Sequence, residues 1–237
     1  MDDLSQWTPR ERPGLVALEG RRVRLEPLDW APHADGLFEA VDGPGNEGLW
    51  TYMPFGPFGT LDAFSQAFEH LRRSQGWETL VIRSSLDGAI LGTASYLRIR
   101  EAHGSCEVGC VAFGQRLQRT AEATEAMALM AAHAFNDLGY RRYEWKCNNA
   151  NLASRRAADR LGFAFEGVFR NDMVVKGENR DTAWYAMIDA DWPAISAALS
   201  AWLDPANFDE TGAQRRPLGN MRAEGWTPVP FGETIAP

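Results

Sequence analysis

The sequence predicts a mixed α/β domain, with a sheet that is antiparallel in its first part and locally parallel in its later part. A strand, two short helices and a hairpin come first, and strands then alternate with helices from about residue 106 onward. Strands that first meander and then alternate with helices are typical of such a sheet. We find no internal repeat and no low-complexity tract that would divide the chain.

Composition narrows the class of protein. The chain has 237 residues and a net charge of −8, from 24 Lys and Arg against 32 Asp and Glu. An acidic balance disfavours nucleic-acid binding, which needs a basic surface. No apolar run approaches the ~18 residues of a membrane span, and the N-terminus carries no apolar signal core. Three cysteines are too few for a disulfide scaffold, so we expect reduced thiols and a cytoplasmic protein.

The first third of the chain predicts one strand and two helices around a loop. Residues 1–20 are rich in proline and charge and predict an arm, not a folded element. Apolar and polar residues alternate over Arg21–Pro27, which predicts a half-buried strand. Asp29 and Thr60 are positioned to start two helices. Between them, residues 42–59 carry aromatic side chains that are costly to leave in water, so we predict an ordered loop lining a pocket.

The rest of the chain predicts a regular series of elements. The apolar periodicity and Gly139 predict a long helix of about 16–18 residues that ends at Gly139. A polar connection near Lys176–Asn179 joins the last two predicted strands. The predicted strands are Thr79–Ser84, Ala89–Arg100, Cys106–Phe113, Arg142–Cys147, Phe163–Phe169 and Thr182–Ile188. The other predicted helices are Leu152–Leu161 and Trp192–Leu203, and a Pro- and Gly-rich tail starts at Asp204.

Two motifs resemble known binding sites but lack the required context. The glycines of Gly43–Gly48 match a dinucleotide fingerprint, yet they follow a helix and lead into Trp-Thr-Tyr-Met-Pro. Cys106 and Cys110 would share one face of a strand, with His103 upstream, but no second ligand pair follows at metal-site spacing. We therefore interpret both cysteines as core thiols and predict no metal.

A third motif is more specific. A strand ending at Phe113 leads into Gly-Gln-Arg-Leu and then into residues 118–126, which open the long helix. Small residues at a helix start leave backbone N–H groups free at the positive end of the dipole, a combination that binds phosphate. The alternative is a plain helix cap in which Glu122 and Glu125 complement the dipole.

These residues carry a family resemblance. Gln118-x-x-Ala121-x-Ala123 resembles the pyrophosphate loop of the GNAT acetyltransferases, although the family usually has Gly where Ala121 stands. Thr124-Glu125-Ala126 and the run from Asn151 to Gly167 resemble its RimJ/RimL-like branch. The resemblance covers residues 21–190, and implies a GNAT-type sheet and an acetyl-CoA-dependent N-acetyltransferase. Residues 191–237 would form a helix and tail packed on the same domain.

The resemblance also implies where acetyl-CoA binds. The strand before the loop is expected to separate from Tyr143–Cys147, leaving a slot for pantetheine, with an oxyanion donor near Cys110 or Val111. Asn151 is expected to bind pantetheine or to cap its own helix. The expected cofactor-binding residues are Cys110, Val111, Phe113, Gln118, Arg119, Thr120, Ala121, Glu122, Ala123, Thr124, Asn151 and Ser154.

Acetyl transfer needs an unprotonated amine, an oxyanion donor and a proton for the leaving thiolate. Glu107 is the candidate base, and the alternative is a salt-bridged strand carboxylate. Asp172 is a second candidate, although L12-type serine acetyltransferases carry their catalytic Glu where Met173 aligns. Ser154 is the candidate acid for the thiolate, unless it only caps its helix. Many relatives use a Tyr where Ala158 stands.

The acceptor pocket is expected to include Trp50, Tyr52, Met53, Tyr96 and Glu107, and core packing is the alternative for the aromatic residues. The predicted function is acetyl transfer to a primary amine, either a protein N-terminal α-amine or a small-molecule amine. One alternative is a catalytically weak or inactive acyl-CoA-binding sensor or scaffold. Another is an unrelated α/β domain with a fortuitous phosphate loop. We expect a monomer or a homodimer.

Overall fold

An eight-stranded sheet organises residues 3–225, the part of the chain that the computed structural model describes. Its spatial order is β1-β2-β3-β4-β5-β6-β8-β7, and β5 and β6 pair in parallel while the other neighbours pair antiparallel. The strands are β1 Leu18–Glu19, β2 Val23–Pro27, β3 Glu78–Ser84, β4 Ile90–Arg100, β5 Ser105–Phe113, β6 Arg142–Asn148, β7 Ala164–Val175 and β8 Glu178–Ile188.

Six α-helices accompany the sheet in this part of the chain. Asp29 and Thr60 cap the first two helices, each accepting a hydrogen bond from a backbone N–H, as the sequence predicts. The third helix continues into a π-helical turn over His133–Asp137, so the predicted long helix is confirmed. The helices are α1 Trp30–Asp42, α2 Leu61–Gln75, α3 Ala121–Ala132, α4 Leu152–Leu161, α5 Trp192–Leu203 and α6 Leu218–Gly225.

Two apolar cores lie on opposite faces of the sheet. The larger core joins the sheet to α3, α4 and α5. The smaller core lies under α1 and α2 and centres on an aromatic cluster. This smaller core takes residues from β3 and β5 but none from β6, β7 or β8. The sheet face beyond β5 is therefore available for polar side chains. The aromatic cluster comprises Trp50, Phe55, Phe58, Phe64 and Phe68.

The prediction of an unfolded N-terminal arm was wrong for its described residues. Leu18–Glu19 forms strand β1 against β2. Arg12 lies against the sheet and pairs with Glu78 at 2.6 Å and with Glu101 at 2.8 Å. The charges of this segment find partners on the domain, and local composition alone does not reveal such partners. In the tail, α6 was not predicted, and the tail predictions for residues 226–237 lie outside the described residues.

The β7–β8 hairpin is longer than the sequence indicates. The predicted polar connection is mostly strand, and the turn itself contains Lys176 and Gly177, with φ of 51° and 82°. Two consecutive positive φ values suit the two-residue turn of a twisted hairpin. The extension brings Lys176 to the loop of residues 42–59, where its Nζ donates to the carbonyls of Trp50 (2.7 Å) and Gly56 (2.8 Å).

The prediction that Cys106 and Cys110 share one face of a strand was wrong, because β5 contains a β-bulge. Thr93 pairs with Ala112 and Ser95 pairs with Gly109, so two residues of β5 stand opposite the single residue Ala94. Cys110 has a φ of 46° at this bulge. The extra residue reverses the alternation of the strand. Cys106 therefore lies in the larger core and Cys110 in the smaller one, and the two thiols do not share a face.

Candidate active site

The two parallel strands separate in the middle of the sheet. Their pairing runs from Ser105–Arg142 to Val108–Trp145, although β5 continues to Phe113 and β6 to Asn148. The bulge begins at Cys110, two residues after the last paired residue, Val108. The separation expected from the resemblance is therefore present, and it leaves backbone groups of β5 without a partner strand on that side.

The loop after β5 leads into α3 through a helix cap. Thr120 is the N-cap, and its Oγ1 accepts a hydrogen bond from the N–H of Ala123 at 3.2 Å. Arg119 has a left-handed φ of 63° just before it. The N–H groups of Ala121 and Glu122 have no partner within the helix, as the geometry of a first turn requires. Ala121 is itself helical, so its Cβ needs no unusual backbone conformation.

The predicted cofactor-binding side chains differ in their surroundings: some lie at the loop, and one contacts a neighbouring helix. Gln118 donates from Nε2 to the carbonyl of Phe113 at 2.8 Å and so fixes the loop. Arg119 is exposed. Thr124 instead accepts a hydrogen bond from Arg160 of α4 at 3.0 Å and is buried, so its hydroxyl holds two helices together. The expected cofactor-binding role of Thr124 stays a prediction.

Asn151 and Ser154 occupy the start of α4, beside the separated strands. Asn151 Oδ1 accepts from the N–H of Ser154 at 3.0 Å, which makes it the helix cap. Ser154 Oγ accepts from Nε1 of Trp145 at 3.0 Å. Because Trp145 donates this bond, it does not use the hydroxyl proton of Ser154. The Cys147 thiol is a second hydrogen-bond neighbour of this hydroxyl.

A charged cluster lies on the sheet face of the smaller core, in the part that α1 and α2 leave uncovered in the described structure. We define it as Arg98, Glu107, Glu144, Lys146 and Trp184. Glu107 is 2% exposed, and its Oε2 lies 3.3 Å from Nζ of Lys146 and 3.7 Å from Nε of Arg98. Glu144, the residue paired with Glu107 across the parallel strands, is equally buried. Arg98 and Lys146 both contact the ring of Trp184, at 5.0 and 5.2 Å from its centre.

Burial changes the acidity of the candidate base. Loss of solvent raises the pKa of Glu107 to about 7, an effect that the charges of Lys146 and Arg98 oppose and that of Glu144 reinforces. Glu144 has closer cations, with Arg142 at 2.7 Å and Arg100 at 2.9 Å. The cluster therefore holds two buried carboxylates in different surroundings. A carboxyl group with a pKa near neutrality can both take up and release a proton at physiological pH.

An open cleft of about 630 Å³ borders this cluster at Arg98 and Trp184. Asp172 lines it, in the irregular part of β7 where the pairing with β8 shifts register between Phe169 and Met173. Arg142 and Glu166 form a paired wall, with two nitrogen–oxygen contacts of 2.7 and 2.6 Å. The full lining is Arg98, Arg142, Glu166, Gly167, Phe169, Asp172 and Trp184.

Two of the residues expected in the acceptor pocket belong to the cores instead. Trp50 is fully buried in the aromatic cluster, with Nε1 donating to the carbonyl of Val41 at 3.1 Å. Tyr96 is fully buried in the larger core, and its hydroxyl donates to the carbonyl of Met130 at 2.8 Å. Both polar atoms are satisfied by main chain. Tyr52 is 37% exposed and reaches the carbonyl of Ala150 at 3.4 Å. The expected roles of Tyr52 and of half-buried Met53 stay predictions.

Sequence reasoning missed most of the charged cluster. Lys146 contacts Glu107 from the neighbouring strand β6, and Trp184 of β8 contacts Lys146. Arg98 arrives through a bulge in β4. Polar residues at alternate positions of Arg142–Cys147 were a usable signal, because they predict a second face of β6 that bears charge. Among the described residues, no group of His, Cys, Asp and Glu could hold a metal ion, and no helix is long and apolar enough to cross a membrane.

Comparison with known proteins agrees with this geometry. A family model described as "Acetyltransferase (GNAT) domain" matches residues 22–164. The chain belongs to the GNAT N-acetyltransferase family. Its RimJ/RimL-like branch is the one to which that model corresponds. The matched segment contains the separated strands, the loop before α3 and Glu107.

Solved and curated relatives cover most of the chain. A GCN5-related N-acetyltransferase from Brucella melitensis has 42% identity and a TM-score of 0.88, over 93% of this chain and 100% of that one. "Uncharacterized N-acetyltransferase YnaD" of Bacillus subtilis is 24% identical over 60% of this chain and 81% of its own length. A ribosomal-protein-S5-alanine acetyltransferase from Vibrio fischeri has the same fold, with 20% identity and a TM-score of 0.59, over 75% of this chain and 98% of that one. The protein is an N-acetyltransferase of the GNAT family, which implies acetyl-CoA as donor.

Proposed function

We propose that this acetyltransferase modifies a primary amine in the cleft that borders the charged cluster, with Glu107 as the general base. One observation carries the proposal. Glu107 is a buried carboxylate with a pKa raised to about 7, one residue before the rung at which β5 and β6 separate. A base at this position adjoins both the open cleft, through Arg98, and the gap between the strands.

The acidity of Glu107 favours one class of acceptor. An α-amine has a pKa near ~7.8 and a lysine amine near ~10.4, so deprotonation at pH 7 costs roughly 1 and roughly 4.6 kcal/mol respectively. A carboxylate that ionises near neutrality is well matched to the first. The acceptor is then a protein N-terminal α-amine or a small-molecule amine of similar acidity. The Vibrio fischeri protein, a ribosomal-protein-S5-alanine acetyltransferase, is compatible with this class.

The residues near the strand separation fit acetyl-CoA. The gap between β5 and β6 offers unpaired main chain to an extended arm, and the N–H groups of Ala121 and Glu122 offer donors to phosphate oxygens. Arg119, exposed beside them, adds a positive charge. Bound acetyl-CoA supplies a thioester carbon that an amine can attack. A main-chain N–H near Cys110 or Val111 is the proposed donor to the developing oxyanion.

The transfer needs a group that accepts a proton and a group that donates one. Glu107 takes a proton from the amine as the carbon–nitrogen bond forms and the carbon–sulfur bond breaks. Ser154, whose hydroxyl proton is not used by its bond with Trp145, is the proposed donor to the leaving sulfur. Asp172 lines the cleft and stays a second candidate base.

The test is thiol release from acetyl-CoA against peptides that start with Ser or Ala, free amino acids, polyamines and aminoglycosides. The expected result is turnover with α-amines that exceeds turnover with alkylamines at pH 7. The proposal would be contradicted if no amine of the panel caused thiol release although acetyl-CoA bound tightly in a titration. That pair of results would favour an acyl-CoA-binding sensor or scaffold. The predicted cytoplasmic location and the oligomeric state stay predictions.

A further inference from the structure

Arg98 reaches the cleft through a second β-bulge. Leu97 pairs with Glu107 and Arg100 pairs with Ser105, so Arg98 and Ile99 together stand opposite Cys106. Arg98 has a φ of 45°, in the left-handed region that few residues other than glycine adopt. Regular alternation from Tyr96 would point Arg98 into the larger core. The bulge instead puts Ile99 against that core and Arg98 beside Glu107.

The guanidinium of Arg98 packs on an aromatic ring but makes no close ion pair with a carboxylate among the described residues. It lies over the ring of Trp184, and its closest carboxylate oxygens are at 3.5 Å on Glu144 and 3.7 Å on Glu107. These distances are too long for a hydrogen bond. Nε makes both of these closest approaches, and the guanidinium makes no shorter contact with a carboxylate in residues 3–225. The side chain is 43% exposed and lines the cleft.

The buried carboxylates have closer cations than Arg98. Glu144 is bonded to Arg100 and Arg142 at 2.9 and 2.7 Å, and Glu107 has Lys146 at 3.3 Å. Neutralising the cluster therefore does not by itself account for a strained arginine at this position. A strained backbone that aims a donor-rich side chain into a cleft points to a binding role.

We propose that Arg98 determines acceptor specificity by binding a carbonyl or carboxylate oxygen on the carbon next to the reacting amine. This inference rests on the proposed function, in which Glu107 receives the proton of that amine. Because Arg98 and Glu107 lie 3.7 Å apart, their ligand must carry its oxygen within a few ångströms of its nitrogen. An α-amino carbonyl compound has this arrangement, in a free amino acid as in a peptide N-terminus.

The same residues disfavour a second cationic group. Arg98 and Arg142 both line the cleft, and Lys146 contacts the same indole ring as Arg98. Glu166 is engaged by Arg142 in a paired contact. Asp172 is the cleft carboxylate that would take the second ammonium of a diamine if the inference were wrong.

Three small acceptors separate these possibilities: alaninamide, alanine and 1,2-diaminopropane. They share a branched amine and differ in the neighbouring group, which is a carbonyl, a carboxylate or an ammonium. In the wild-type protein, kcat/KM should be higher for the first two than for the diamine. Arg98→Gln should lower kcat/KM for those two by roughly 10- to 100-fold, mainly through KM, and change the diamine by less than about 3-fold. The ratio of alaninamide to alanine tells a peptide N-terminus from a free amino acid.

Two controls separate recognition from structure. Arg100→Gln also removes an arginine from Glu144 but leaves the cleft lining intact, and should leave the ratios among the three acceptors unchanged. Arg98→Lys keeps the charge without the planar fork and should fall between wild type and Arg98→Gln. A wild-type preference for the diamine, or an equal loss on all three acceptors in Arg98→Gln, would overturn the inference.

A binding measurement distinguishes failure of this inference from failure of the proposed function. If the wild-type protein acetylates no amine, the proposed function fails, and calorimetric titration with N-acetylalaninamide then tests Arg98 alone. Weaker binding to Arg98→Gln than to wild type would support the inference. Equal affinity, or no binding to wild type, would overturn it.

Discussion

The aromatic cluster and the charged cluster lie side by side on one face of the sheet, and they differ in how readily the sequence predicts them. The aromatic cluster comes from one loop and from helix α2, both rich in aromatic residues, and its rings pack at centroid distances such as 4.7 Å for Phe64 and Phe68. The charged cluster comes from four strands, two of which carry a β-bulge, and no local motif in the sequence marks its polar residues. Of the two, only the second surrounds a carboxylate with a pKa raised to about 7.

The difference teaches that residue type is a weaker guide to chemistry than the face on which a residue lies. Trp50 is a core residue because its loop folds back under α1 and α2, and the aromatic cluster then stabilises that loop. Glu107 gains its raised pKa from burial among strand neighbours that are distant in sequence. The account therefore predicts that the aromatic cluster controls stability and that the charged cluster controls reactivity.

The largest expected effect follows from replacing the base. Glu107→Gln should lower kcat by roughly 10²- to 10⁴-fold, because a positioned base contributes about that much, while the dissociation constant of acetyl-CoA stays unchanged. Steady-state kinetics and a binding titration measure the two quantities. Glu19→Gln, which removes an exposed carboxylate paired with Arg24, is the matched control. A kcat for Glu107→Gln within twofold of wild type would remove Glu107 as base.

The next effect concerns the aromatic cluster. Trp50→Ala should lower the free energy of unfolding by about 3–5 kcal/mol, because it empties a fully buried site. The protein that stays folded should keep the wild-type KM for the acceptor. Tyr52→Ala, in the same loop but 37% exposed, should cost less than about 1 kcal/mol. Urea unfolding measures both free energies, and equal losses would contradict the stabilising role of the buried aromatic cluster.

A pH-dependent loss of stability should accompany the raised pKa of Glu107. The unfolded carboxyl titrates near 4.5 and the folded one near 7, so between these values the native state binds more protons than the unfolded state. Wild-type stability should therefore fall as pH rises through this window, by up to about 3 kcal/mol relative to Glu107→Gln. Urea unfolding of the two proteins at intervals from pH 4.5 to 8 measures the difference. Parallel curves would show that Glu107 ionises as it does in the unfolded chain.

The smallest of these effects lies at the start of α3. Ala123→Asp places a negative charge beside the proposed phosphate site and should weaken acetyl-CoA binding roughly 10-fold at low salt. The helix itself should tolerate an acidic residue in its first turn. Glu122→Gln is the opposite change and should strengthen binding by about 2- to 3-fold. Calorimetric titration measures both affinities, and two unchanged values would place the phosphates elsewhere.

Local sequence pattern predicted most of the fold. The alternation in Arg21–Pro27 and the caps at Asp29 and Thr60 are local properties, and the corresponding elements are confirmed. Strand β1 and helix α6 were not predicted, because β1 has two residues and α6 eight. The bulges were also unpredictable from one strand, since a bulge is defined by the partner that it mispairs with.

The site was predicted only in part, for the same physical reason. The resemblance and the strand–loop–helix pattern indicated Glu107 and the start of α3. The surroundings of Glu107 depend on the register of β4, β6 and β8, which brings Lys146 and Trp184 together across the sheet. Trp50 and Tyr96 were assigned to the pocket because aromatic side chains suit both pockets and cores, and sequence alone does not decide which side of a sheet they face.

The most direct test of the central claim is the pH dependence of the acetyl-transfer rate, measured as kcat for wild type and for Glu107→Gln with one α-amine acceptor. Taking the ratio of the two rates removes the ionisation of the acceptor, which both proteins share. The account predicts a ratio that rises by about tenfold per pH unit below pH 7 and levels off above it, following the ionisation of a carboxyl whose pKa is raised to about 7. A ratio that stays constant from pH 5.5 to 9 would contradict it.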